Sequence, residues 1–189
     1  MKKRVPILLS AALLLTGCRG GESSAGKPVP ADGIALNSSD SVPAEYAETV
    51  KAYFTAIEQK DYAAYFDLMH PVYREAYGAF LQNKGSDLEA NFASQRKRLD
   101  EDGYDSWRIT DITLDLYPNP DYDYFFTRFT EAGILTDDQV KAVRDSAEEM
   151  QDLQFTVNVL YEGDEEPVPT ISGMELILFK TADGIKLFG

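Results

Sequence analysis

Trp107-Arg108-Ile109-Thr110-Asp111-Ile112-Thr113-Leu114-Asp115-Leu116-Tyr117 is the stretch at which the chain changes period. Ile112, Leu114 and Leu116 alternate with Asp111, Thr113 and Asp115, the mark of a β-strand with one buried face. Upstream of it the apolar residues recur at helical spacing. Downstream, two more helical stripes give way to period-two segments that run to the end.

The upstream part predicts four helices. The first starts near Ser41, a suitable N-cap, with Pro43 in its first turn, and presents Tyr46, Val50, Tyr53, Phe54 and Ile57 on one face. Asp61 caps a second, whose Tyr62, Tyr65, Phe66 and Met69 repeat the pattern until His70-Pro71 ends it. A third spans about Val72 to Gln82. A fourth, about Asp87 to Asp100, carries the narrower stripe Leu88, Phe92 and Leu99 and the basic cluster Arg96-Lys97-Arg98.

After the strand, Asn119-Pro120 opens a helix with Tyr122, Phe125, Phe126 and Phe129 on one face, closed by Gly133. Thr136-Asp137-Asp138-Gln139 is a capping-box pattern leading Val140, Val143, Ala147 and Met150. Strands are then expected at Leu153–Tyr161, Ile171–Lys180 and Ile185–Phe188. Helices first and a meander last predict an α+β domain over 43–189: N-terminal helices packed on a small antiparallel sheet of about four strands, with an inserted helical hairpin. Met174 to Phe179 is apolar on both faces except for Glu175. The sheet's second face should therefore be covered, by the hairpin or by a second copy in a homodimer through that face.

Val50-Lys51-Ala52-Tyr53-Phe54-Thr55-Ala56-Ile57, then Lys60-Asp61-Tyr62 opening a helix that closes at His70-Pro71, resembles the nuclear transport factor 2-like (cystatin-like) superfamily. Asp183-Gly184-Ile185-Lys186-Leu187 is similar to that family's terminal hairpin. The resemblance implies a cone-shaped pocket. Relatives that act as isomerases, dehydratases or polyketide cyclases place an Asp, His or Tyr inside it. Many exported bacterial lipoproteins share the pattern.

The N-terminus supplies the address. Lys2, Lys3 and Arg4 precede an apolar run from Val5 to Leu15, which reads as a secretory signal peptide over 1–17. The run is too short to span a bilayer, which takes roughly 20 apolar residues. Leu15-Thr16-Gly17-Cys18 resembles the bacterial lipoprotein lipobox, which implies a diacylglyceryl group on the Cys18 thiol. Cys18 is the sole cysteine and has no disulfide partner. Two acyl chains anchor stably where one does not. The mature chain is thus expected on the outer side of a bacterial cytoplasmic membrane, or on the outer membrane of a Gram-negative cell. Residues 18–42, rich in Gly, Ser, Ala and Pro, read as a lipidated flexible linker, with Ile34 and Leu36 as apolar exceptions. As a linker of about 25 residues its extended reach is about 80 Å.

Charge bounds the partners. The 189 residues include 18 basic and 32 acidic side chains, for −14. Three basic residues and no acid precede Cys18, which leaves the mature chain at −17. Such a balance opposes nucleic-acid binding, which needs clustered Lys and Arg, and close contact with anionic lipid. With 44% hydrophobic and 12% aromatic residues the chain can still build a core.

The sequence assigns no catalytic residue, metal or cofactor. His70, the only histidine, suits a structural cap or an exposed position. No nucleophile elbow, phosphate-binding glycine loop or zinc-protease helix is present. Asp100-Glu101-Asp102-Gly103-Tyr104-Asp105 fails as an EF-hand: Arg98 and Ile109 fall where an acid and a bidentate Glu are required. Asp111 and Asp115 lie opposite their strand's apolar face, in water. Tyr53, Tyr65, Trp107 and Tyr161 are the candidate lining of a pocket for a small amphipathic ligand. The expected function is a lipid-anchored cell-envelope protein whose non-catalytic domain binds a protein partner or small ligand. The alternative is a pocket enzyme of the isomerase, dehydratase or cyclase type.

Overall fold

In the computed structural model, residues 33–100 and 106–188 are described; the expected signal, Cys18, the expected linker up to 32 and the acidic segment 101–105 lie outside them. The described chain is mixed α/β, with six helices and one five-stranded, mostly antiparallel sheet. In chain order the elements are β1 (Ala35–Ser38), α1 (Ala44–Gln59), α2 (Tyr62–Leu68), α3 (Pro71–Asn83) and α4 (Leu88–Arg98). There follow β2 (Trp107–Leu116), α5 (Tyr122–Glu131), α6 (Asp137–Ser146), β3 (Glu149–Tyr161), β4 (Val168–Thr181) and β5 (Gly184–Phe188).

The fifth strand corrects the linker. β1 pairs parallel to β2, Ala35 opposite Asp111 and Ser38 opposite Leu114, so the domain begins by Gly33 and not at Pro43. Ile34 and Val42 are buried in the main core, and that burial is what pulls the segment down. Polar staples hold it. The Ser39 amide donates to the Leu114 carbonyl at 3.1 Å, the Ser39 hydroxyl to Asp115 at 2.8 Å, and the Asn37 amide to Asp111 at 3.4 Å. Asp111 and Asp115 thus tie two strands together. A parallel pair needs a long crossover, and α1–α4 supply it.

Helix boundaries follow local chemistry. Asp61, Asp87 and Asp121 each accept a hydrogen bond from the backbone of the first turn they precede, and Thr136 with Gln139 forms a full capping box. Pro43, not Ser41, is the N-cap of α1; the Ser41 hydroxyl turns to Ser39 and Asp115. Met150 belongs to β3 and not to α6, whose last residue is Ser146.

One register detail aligns β2 with its core. Ile109 and Ile112 are both buried, although three residues apart they would face opposite sides of a regular strand. A bulge resolves this: Ile109 opposes Val159, Asp111 opposes Asn158, and Thr110 is the extra residue. The Ile109 amide donates to Glu58 of α1 at 2.6 Å, and the Thr110 hydroxyl donates to the Asn158 carbonyl at 3.2 Å.

Helices cover both faces of the sheet. On the first face α1 packs against it, with Phe54 and Phe155 ring centroids 5.3 Å apart. Leu153, Val157, Leu176, Leu178 and Leu187 complete that core. On the second face, over β4 and β5, lie α5 and α6: the Phe126 ring sits 6.1 Å from Phe179 and 5.7 Å from Phe188. Arg144 near the end of α6 pairs with Asp123 at the start of α5 and stacks on Phe126. The two-faced apolarity of β4 is covered by α1 on one side and by α5 and α6 on the other.

Candidate functional site

The four aromatic residues expected to line a pocket divide into two pairs. Tyr53 of α1 and Tyr65 of α2 meet at 5.2 Å, inside a cluster with Phe54, Phe66 and Phe92. Both are buried. Burial pushes the Tyr53 phenol up to about 12, against a hydrogen bond to Tyr65 that lowers it. The Tyr65 phenol is pushed higher still, by burial first and then by Tyr53. Neither phenol is a useful acid in that setting.

Trp107 and Tyr161 are direct cross-strand partners. The Arg96 guanidinium lies 4.8 Å from the Trp107 ring and covers it, so the first member of the basic cluster packs on the protein itself. Tyr161 donates its hydroxyl to the Leu99 carbonyl at 2.9 Å and lies 3.0 Å from the Thr170 hydroxyl. These contacts pin the end of α4 to the sheet.

Two open clefts mark the described surface. One, of about 430 Å³, lies on the α5–α6 pair, with Phe126 and Val140 in its floor and Asp123, Asp137, Lys141 and Arg144 at its rim. The other, of about 340 Å³, runs along α1 and the start of α2, lined by Lys51, Thr55, Gln59 and Asp61 among others. None of Tyr53, Tyr65, Trp107 or Tyr161 lines either cleft. Tyr53 and Tyr65 are core because the aromatic faces of α1 and α2 close on each other and on Phe92 of α4, and Trp107 and Tyr161 are covered by Arg96 and the end of α4.

No family model, curated protein or solved structure matches this chain.

His70 takes the N-cap position of α3, as its sequence context suggests, but it is buried and not exposed. Its side chain makes no cap hydrogen bond to α3. Instead Nε2 lies 3.1 Å from the Ser146 hydroxyl, which itself donates to the Val143 carbonyl, so Nε2 carries the proton. Nδ1 is buried without a partner, and the ring stands against Phe179 and Phe188. Burial, then Lys186, lowers its pKa. This pair lacks the acid that would orient a catalytic imidazole.

Asp152 is the ionisable group the sequence did not single out. It is 5% exposed, and its Oδ1 has no hydrogen-bond partner. Burial, then Glu175, pushes its carboxyl up to about 7. It lies just ahead of the segment whose alternation marks β3, on the polar side of that alternation, so the sequence reads it as solvated. Just past the last β2–β3 pair, the Tyr117 amide donates to its backbone carbonyl at 2.8 Å. Among the described residues no cluster of three or more His, Cys, Asp or Glu side chains could hold a metal ion. No helix among them is long and apolar enough to cross a membrane.

Proposed function

We propose that this chain is a lipid-anchored cell-envelope protein whose domain binds a protein partner or small ligand without catalysing a reaction. The observation that carries the reading is Leu15-Thr16-Gly17-Cys18 at the end of a basic-then-apolar leader. A diacylglyceryl group on Cys18 anchors the chain outside the cytoplasmic membrane, and on the outer membrane if the cell is Gram-negative. The finer fold reading is a cystatin-like, nuclear transport factor 2-like domain with an inserted helical hairpin formed by α5 and α6. It is supported by helices that precede a meander and by the bent second strand. The non-catalytic reading is supported by the enclosed tyrosines and by a His70 that lacks an acid partner.

The pocket-enzyme alternative draws on Asp152, a carboxyl near the phenols of Tyr117 and Tyr122. It ranks second because Asp152 lines neither cleft. Metabolic labelling with a fatty acid tests the anchor: label on the wild-type chain and none on Cys18→Ser is expected. Label retained by Cys18→Ser, or absent from the wild type, sinks the proposal. Cross-linking in cells then identifies what the domain holds.

A further inference from the structure

Residues 117–122 form a strap across the start of β3. At one end the Tyr117 amide donates to the Asp152 carbonyl at 2.8 Å. At the other, Tyr122, the first residue of α5, donates its hydroxyl to the Met150 carbonyl at 3.1 Å. Asp152 lies at this strap with Oδ1 unpartnered. It opposes Ile177 across the ladder, which places Glu175 two residues away on the same face of β4, a diagonal neighbour within side-chain reach. The Tyr117 phenol hydrogen-bonds to Glu175.

The ionisable groups around Asp152 all come from the acidic side of the scale. Glu175 faces it from β4, and the phenols of Tyr117 and Tyr122 face it from the strap and α5, Tyr122 itself feeling Glu149. A carboxyl in such a place is tolerated with its proton and costly without it, because the anion gains neither a donor nor a cation. Water is the remedy. The route that breaks least structure is to lift the strap, held to β3 here by one amide and one phenol hydrogen bond, and leave the β3–β4 ladder intact.

We propose that Asp152 and the Tyr117–Tyr122 strap form a proton-operated clasp: the strap lies closed over protonated Asp152 and lifts from β3 when Asp152 ionises beside Glu175. The position of the carboxyl's pKa, about 7, puts the transition in the neutral range. The deeper packing of Phe126 on Phe179 and Phe188 stays in place. This inference concerns the domain alone and holds whether or not Cys18 carries lipid.

Hydrogen exchange of the full chain, corrected for the intrinsic pH dependence of exchange and read from about pH 5.5 to about 8.5, tests the clasp. The Tyr117 amide, the strap's donor to β3, should lose at least about fivefold protection as pH rises, while α1 peptides and the β3–β4 ladder hold theirs. Asp152→Asn should keep the strap protected throughout, and Glu175→Gln should move the wild-type transition to lower pH. Strap protection that ignores pH in the wild type, or falls equally in Asp152→Asn, overturns the proposal. So does an unmoved midpoint in Glu175→Gln, or a loss spread evenly through α1.

Discussion

Tyr161 of β3 donates its hydroxyl to the Leu99 carbonyl at the C-cap of α4, 2.9 Å away. The bond joins the last helix of the crossover to the sheet, with Leu99 1% exposed and Tyr161 3%. Removing the donor leaves a buried carbonyl short of a partner. Tyr161→Phe should cost about 1–2 kcal/mol in urea unfolding, with an unchanged m-value.

Phe188 is a hub. Its ring lies 4.4 Å from Tyr73, 5.3 Å from Phe129 and 5.3 Å from Phe179, so it joins α3, α5 and β4 at one point. Phe188→Ala should lose about 3–5 kcal/mol, and Phe188→Leu distinctly less, by the same unfolding measurement.

His70 and Asp152, both buried, move stability in opposite directions with pH. The pKa of His70 is lowered in the folded state, so the fold prefers the neutral ring; stability falls as pH drops through about 6.5, the unfolded value. Wild-type stability minus that of His70→Gln should decline from pH 7 toward pH 5. The folded pKa of Asp152 is raised to about 7, so the fold prefers the protonated acid. Its contribution is whole below the unfolded pKa of about 4 and lost by the time pH has passed 7. Asp152→Asn should therefore gain on the wild type between pH 4 and pH 8, by about 1–2 kcal/mol once partial hydration is allowed for.

The capping box of α6 offers a local test. Thr136 accepts from the Gln139 amide at 3.3 Å while Gln139 Oε1 accepts from the Thr136 amide at 2.9 Å. Thr136→Ala should cost about 1 kcal/mol and fray α6 first, seen as faster exchange over 137–141 with β3 unaffected.

Most element positions are legible because their signals are local. Asp61, Asp87 and Thr136 announce helix starts by the hydrogen bonds their side chains can make, and Leu153 to Tyr161 alternates as a half-buried strand must. What escapes is set by distant chain. Ala35–Ser38 is a strand only because β2, more than seventy residues on, offers it an edge. Ile109 falls out of phase with Ile112, which is itself the trace of the bulge, and reading that parity break would have located it. The aromatic stripes of α1 and α2 were legible as apolar faces. Whether such faces enclose a cavity or close on each other depends on how α4 approaches, and Phe92 against Tyr65 at 4.8 Å decides for closure. Asp152 is invisible for the same reason, since the strap that hides it begins thirty-five residues earlier.

The pairing of β1 with β2 shortens the leash. Under the proposed Cys18 anchor, the fifteen residues from there to Gly33 would span at most about 50 Å, against the 80 Å a longer tether would allow. A domain so anchored would patrol a thin shell above the lipid, and a partner would have to come to within that altitude.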